Sequence, residues 1–242
     1  MCTVTFIPGR DQCYLTSNRD EKSWRSPALL PAAYQFSSGQ LLFPKDGDAG
    51  GTWIAAHENG NAIIFLNGAF IAHTPQPPYR KSRGLILLDL IDSPSPWNSF
   101  LAIQLNNIEP FTAILWDQQR LYECRWDGEQ KHQKELNPGR PHIWSSVTLY
   151  TEAVVKKRKQ WFSNWLHQHP HPGPDEILGF HQFTGDGDRH NDLLMDRNGQ
   201  VYTVSVTRMT LRPQATQMHY LDLKNNKTFD RELVFEKSMA GR

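Results

Sequence analysis

MCTVTFIPGRDQCYLTSNRDE, residues 1–21, is the stretch whose reading decides the fold. TVTFI (3–7) and QCYLTS (12–17) are rich in β-branched and aromatic side chains, and PGRD between them supplies turn geometry through Pro8 and Gly9. The pair reads as an antiparallel hairpin with residue 3 opposite about residue 16. That register brings Asn18, Arg19 and Asp20 back towards Cys2, which stands directly behind Met1. Methionine aminopeptidase removes Met1 when the next side chain is small, so the mature chain can begin with Cys2. One residue would then carry a thiol of pKa about 8.5 and an α-amine of pKa about 7.7–8.0, a nucleophile with its own base. Asp20 is the candidate anion for that amine, and Arg19 the candidate cation that lowers the thiol pKa. Taken alone, Cys2 reads more simply as a small strand residue, and SNRDE as a solvated turn with a surface ion pair.

Further along, LLFP, TWIAA and NAIIFL are strands, the last two joined by HENGN with its Asn59-Gly60 hairpin signal. Leu85, Leu88 and Ile91 recur at helical spacing over 80–92 until Pro94 and Pro96, and a second short helix is expected near 97–105. FTAILW (111–116) and RLYECRW (120–126) form a hairpin around DQQR, and HIWSSVT (142–148) is strand-like. The clearest helix spans 152–168, with Val154, Trp161, Phe162, Trp165 and Leu166 on one side. HQHPHPGP ends it, and the chain returns to strands: DLLMD and QVYTVSV around RNG, then MHYLDL and TFDRELVF around KNN. This order predicts a single α+β domain over residues 1–242, with stacked antiparallel sheets and helices outside.

A net charge of +1, from 26 basic and 25 acidic residues interspersed along the chain, argues against nucleic acid as a partner. Three cysteines cannot all pair, no secretory signal is recognisable and no run approaches a membrane span, so a cytoplasmic protein with a small-molecule substrate is expected. Oligomeric state is not legible. KKRK (156–159) is expected to form the solvated face of its helix. Asp186, Asp188 and Asp192 in GDGDRHND lack the glycine and glutamate of a calcium loop, and His167, His169 and His171 alternate with unsuitable spacing for zinc. No metal and no cofactor is expected.

MCTV, SNRDE (17–21), FPKD (43–46), AGGTWIA (49–55), LNG (66–68), SRG (82–84) and HIWSS (142–146) together resemble the NRDE family, which includes the eukaryotic transport and Golgi organisation protein 2. The resemblance runs over essentially the whole chain. It implies the four-layer αββα sandwich of the N-terminal nucleophile hydrolases, among which bile salt hydrolases and penicillin V acylases begin with Met-Cys and cleave non-peptide amides. By that likeness Cys2 is the nucleophile, Arg19 and Asp20 support it, and Asn67 is an oxyanion donor, although Asn67-Gly68 also reads as a simple turn. Asn18, Glu21, Trp53 and Ser145 are the candidate substrate contacts, with core packing the favoured role of Trp53. Ser145 and Ser146 stand where those hydrolases lead one to expect a second asparagine. The implied function is hydrolysis or transfer of an acyl group at a small amide or thioester; the alternative is a non-catalytic carrier of haem or lipid-like ligands.

Overall fold

The computed structural model describes residues 3–235, so Cys2 lies outside the described residues. One sheet is built from β1 (Thr3–Pro8), β2 (Cys13–Lys22), β10 (His142–Ser145), β12 (Val201–Leu211), β13 (Ala215–Asp222) and β14 (Lys227–Val234), in the order β10-β1-β2-β12-β13-β14, with the short β11 (Asp196–Arg197) beside β12. The other is a continuous meander of β3 (Leu29–Phe36), β4 (Gly39–Lys45), β5 (Ile54–His57), β6 (Ala62–Asn67), β7 (Phe111–Asp117), β8 (Arg120–Trp126) and β9 (Lys131–Leu136). Every pairing in both sheets is antiparallel.

The sheets face each other across Val4, Phe6, Leu15, Ile54, Ile64, Leu66, Ile114 and Met209, all fully or almost fully buried. Alternation along each strand sends the next side chains outward to the helices. Helices α1 (Arg83–Ile91) and α2 (Pro96–Ala102) cover the meander, where Leu87, Leu90 and Phe100 meet Ile63, Phe65 and Phe111. Helices α3 (Glu152–Gln168) and α4 (Pro174–Phe183) cover the first sheet through Phe162, Ile177 and Phe180 against Ile7 and Tyr14. The result is the α+β, four-layer αββα sandwich. Each such Leu, Ile or Phe contributes about 1.5–3 kcal/mol relative to an exposed one, so three apolar layers dominate stability.

The first hairpin differs in register from expectation: Pro8 pairs with Cys13 and Thr3 with Asn18. Residues 9–12 make a four-residue loop closed by the Gly9 amide donating to the Gln12 carbonyl at 2.7 Å. A shift of two residues keeps every side chain on its face. Strand β2 also continues to Lys22, because the eleven-residue β12 pairs along it from Leu211↔Cys13 to Val201↔Lys22. SNRDE therefore lies inside a buried strand, not in a solvated turn.

Three further expectations are corrected. PDEILGFHQF forms α4, with Pro174 at its start and the Glu176 carboxylate accepting from the Gly173 amide at 2.7 Å. DLLMD contributes only Asp196, the first residue of the two-residue β11. In KKRK, Lys156 and Lys159 are exposed but Arg158 is fully buried. Strands β3 and β9, absent from the sequence reading, complete the edges of the meander.

The glycines of AGGTW and SRG have a packing cause. A Cβ on Gly51 would lie 2.4 Å from the Gly84 carbonyl carbon, and the Thr52 amide donates to the Gly84 carbonyl at 3.2 Å. The chain before β5 thus rests directly on the first turn of α1, which Ser82 caps through the Leu85 amide at 3.3 Å.

Candidate active site

Strand alternation divides SNRDE between two layers. Arg19 and Glu21 point to the space between the sheets, whereas Asn18 and Asp20 point to the helices. The first pair opens onto a cavity of about 710 Å³ at the end of the sandwich. Arg19 is 4% exposed and donates to Asp46 Oδ2 at 2.8 Å and Glu21 Oε2 at 3.2 Å, with its guanidinium carbon 4.6 Å from the Trp53 ring centroid. Its charge is thus met by two carboxylates and an aromatic face. Asp46, from FPKD, also accepts from Arg25 at 2.7 Å and from the Ala49 amide at 2.8 Å. Burial opposes its ionisation, but that amide and the two guanidinium groups hold the carboxyl below its usual range.

Across the cavity Arg83 of SRG reaches Glu109 at 3.1 Å, and His73 reaches the other oxygen of the same carboxylate at 3.1 Å. Burial lowers the Arg83 pKa, with Glu109 acting in the opposite sense. Asn67, the last residue of β6, lines this cavity and its side-chain amide makes no hydrogen bond to another described residue. The Asn67 carbonyl accepts from Ser146 Oγ at 2.9 Å, and Ser145 pairs with Thr3, so Asn67 and the start of β1 stand at the same end of the sandwich.

Leu66 and Ser145 border a second cavity of about 650 Å³, walled by Phe70, Ile71, Trp144 and Val155. Its polar floor is satisfied internally: Glu123 accepts from the Trp144 indole at 2.6 Å and pairs with Arg125 at 2.9 Å. Arg19, Glu21, Trp53 and Asn67 share the first cavity, then, whereas Ser145 lies on the second.

Asn18 lines neither cavity. Its Nδ2 donates to the carbonyls of His181 at 3.1 Å and Leu193 at 2.8 Å, which leaves Oδ1 to accept from His181 Nδ1. The tautomer follows: Nδ1 carries the proton and Nε2 accepts from Thr5 Oγ1 at 2.8 Å. Burial, with the Arg158 cation adding to it, pushes His181 down to about 3. Asp20 accepts from Tyr150 Oη at 2.8 Å and Thr203 Oγ1 at 2.6 Å. Over the Tyr150 ring lie Arg158, 3.7 Å from the centroid, and Arg197 at 5.5 Å.

Sequence reasoning missed Asp46, Arg83 and Glu109, which pairing alone reveals, and Arg158, for which a signal existed. Arg158 is four residues from both Val154 and Phe162, on the apolar side of α3. Cys13 and Cys124 are buried free thiols; burial pushes Cys13 up to about 12 and Cys124 upward as well. Among the described residues no three His, Cys, Asp or Glu side chains gather as a metal site, and no helix is long and apolar enough to cross a membrane. GDGDRHND is a self-bonded loop in which Asp192 accepts from the Asp186 amide at 2.8 Å.

Two stacked antiparallel sheets between helical layers place the chain in the N-terminal nucleophile hydrolase-like fold class. The chain is similar to the Caenorhabditis elegans N-acylethanolamine-hydrolyzing acid amidase ortholog, with a TM-score of 0.59 at 10% identity over 86% of this chain and 92% of that one. It is also similar to the conjugated bile acid hydrolase of Clostridium perfringens: one mutant gives a TM-score of 0.52 at 12% identity over the whole of both chains. A second variant gives 0.54 at 10% identity over 99% of this chain and 100% of that one. The family model described as Transport and Golgi organisation 2 matches residues 1–211, and the chain belongs to that TANGO2 family. No curated protein matches it significantly.

Proposed function

We propose that this protein hydrolyses or transfers an acyl group at a small non-peptide amide or thioester, with Cys2 as nucleophile. The observation that carries the reading is convergence: SNRDE, FPKD, AGGTW, LNG and SRG, far apart in sequence, each contribute lining residues to one cavity. The hydrolase-type fold and two neighbours named as an amidase and a bile acid hydrolase support it. In the proposed reaction the Cys2 α-amine accepts the thiol proton and the sulfur attacks the carbonyl carbon. The Asn67 amide donates to the oxyanion, an interaction worth about 2.7–4 kcal/mol in the transition state. Collapse of the tetrahedral intermediate breaks the C–N or C–S bond, and the leaving group takes the proton from the amine. Water or another acceptor then attacks the acyl-enzyme by the same relay in reverse. Asp20 anchors the amine, while Arg19, Glu21 and Trp53 bound the substrate side of the cavity.

The test is a panel of amides and thioesters offered to Met1-free protein and to Cys2→Ala. Turnover lost in the variant with an unchanged thermal melt is the expected result, and retained turnover refutes the mechanism. The Phe70, Ile71, Trp144 and Val155 wall of the second cavity favours one alternative, carriage of a haem or lipid-like ligand. That reading takes over if such a ligand co-purifies equally with both proteins and neither shows turnover.

A further inference from the structure

Arg158 is 0% exposed, and its hydrogen-bond partners among the described residues are all neutral. Nη1 donates to Thr3 Oγ1, Nη2 to the Asn191 carbonyl at 3.0 Å and the Asp192 carbonyl at 2.7 Å, and the plane lies 3.7 Å from the Tyr150 ring centroid. Burying a cation without a carboxylate is costly unless dipoles replace its water, which two carbonyls, a hydroxyl and a ring face do here. Dipoles solvate the charge but do not cancel it, so its field acts on whatever ionises nearby. Arg19, the cation that the sequence suggests for a thiol at the chain start, is by contrast already paired with Asp46 and Glu21.

We propose that Arg158 is a positioning residue for the reaction at Cys2: bonded to Thr3, the next residue of the chain, its buried cation favours the thiolate over the thiol. The inference rests on the reading of Cys2 as nucleophile. It gives a reason for an arginine in the apolar stripe of α3, where a lysine-rich solvated face is otherwise expected. The ionic and titratable groups packed about the start of β1 are Arg19 and Asp20 on β2, Tyr150 ahead of α3, Arg158 on α3, His181 on α4 and Arg197 on β11, and the reading of Cys2 as nucleophile adds its own α-amine, ordinarily about 7.7–8.0 and common to every variant compared. His181 stays neutral above pH 5 and so does not mimic the expected signal. Through a low-dielectric interior, removing one such charge is expected to raise the thiol midpoint by about one pH unit.

The experiment measures iodoacetamide alkylation of Cys2 from pH 5 to 10 in full-length protein shown by intact mass to lack Met1, with the site read by peptide mass. Arg158→Met is expected to move the midpoint up by about one unit and to slow labelling at pH 7 about tenfold. Arg158→Lys, which keeps the charge, restores most of the wild-type midpoint, an outcome that packing alone does not produce. Should Arg158→Met fail to fold, Thr3→Val carries the test, since it removes only the hydroxyl that ties Nη1 to β1 and is expected to give a smaller shift in the same direction. Wild-type midpoints in whichever of these two variants fold overturn the role of Arg158 while leaving the Cys2 reading intact. Cys2 that never alkylates in the wild type overturns both.

Discussion

Substituting Gly51 by alanine tests the contact on which the charged cavity is built. An added Cβ would lie 2.4 Å from the Gly84 carbonyl carbon, 2.6 Å from the Leu85 nitrogen and 2.8 Å from Gly84 Cα. All three are backbone atoms in the first turn of α1, so no side chain can swing aside. Reaching ordinary contact requires the segment and the helix to separate by about 1 Å, at an overpacking cost of roughly 1–3 kcal/mol. That separation also breaks the 3.2 Å bond from the Thr52 amide to the Gly84 carbonyl, a loss of about 1 kcal/mol. A total near 3 kcal/mol corresponds to a fall in Tm of about 6–12 °C for a chain of this size. Differential scanning calorimetry of Gly51→Ala beside Gly179→Ala provides the sign control. Gly179 sits within α4 with only Phe183 Cδ2 at 4.0 Å, so alanine there is expected to stabilise by about 0.5–1 kcal/mol. A Gly51→Ala melt within a degree of the wild type would refute the close-approach argument.

Other outcomes follow from single groups. His181 is held at about 3 against an ordinary 6.5, so between those values the unfolded chain binds more protons and stability present at neutral pH is lost as pH falls. Urea unfolding between pH 6.5 and 4.5 should show about 1.4 kcal/mol lost per pH unit from this group, and His181→Leu should remove that slope; an equal slope in both proteins contradicts the assignment. Asn67→Ala should lower kcat about 10²–10³-fold with little change in melting, and an unaltered kcat removes Asn67 from the oxyanion site. Cys13 and Cys124 should resist a thiol reagent at pH 8 in the folded protein and react in denaturant, since burial pushes both above the usual thiol range. Rapid native labelling of either would mean that the sheets open locally.

The hairpins, the inner strands of the meander and α3 are legible because their signals are local: period-two apolar runs, Asn59-Gly60, and apolar residues at helical spacing over 152–168. The end of β2 is not, because its last residues are strand only by pairing with β12, which lies some 180 positions further on. Helix α4 escaped because the proline-rich HQHPHPGP segment reads as a loop and hides the Gly173-Pro174 start behind it. At the site, Arg19, Trp53 and Asn67 were named in advance and do share a cavity, whereas Asp46, Arg83 and Glu109 enter as ion-pair partners that no spacing announces. Asn18 and Asp20, on the other face of β2, line neither cavity. In a strand, neighbours part company.

That division has a bearing on how relatives of this chain are judged from sequence. A four-letter signature whose first letter ties the strand to α4, whose third is held by Tyr150 and Thr203 and whose second and fourth face the cavity is more than one signature interleaved. Keeping all four letters reports an intact scaffold as much as a working site. A member that has given up its chemistry would be recognised by drift at the positions of Arg19, Asp20 and Glu21, with that of Asn18 still held by His181.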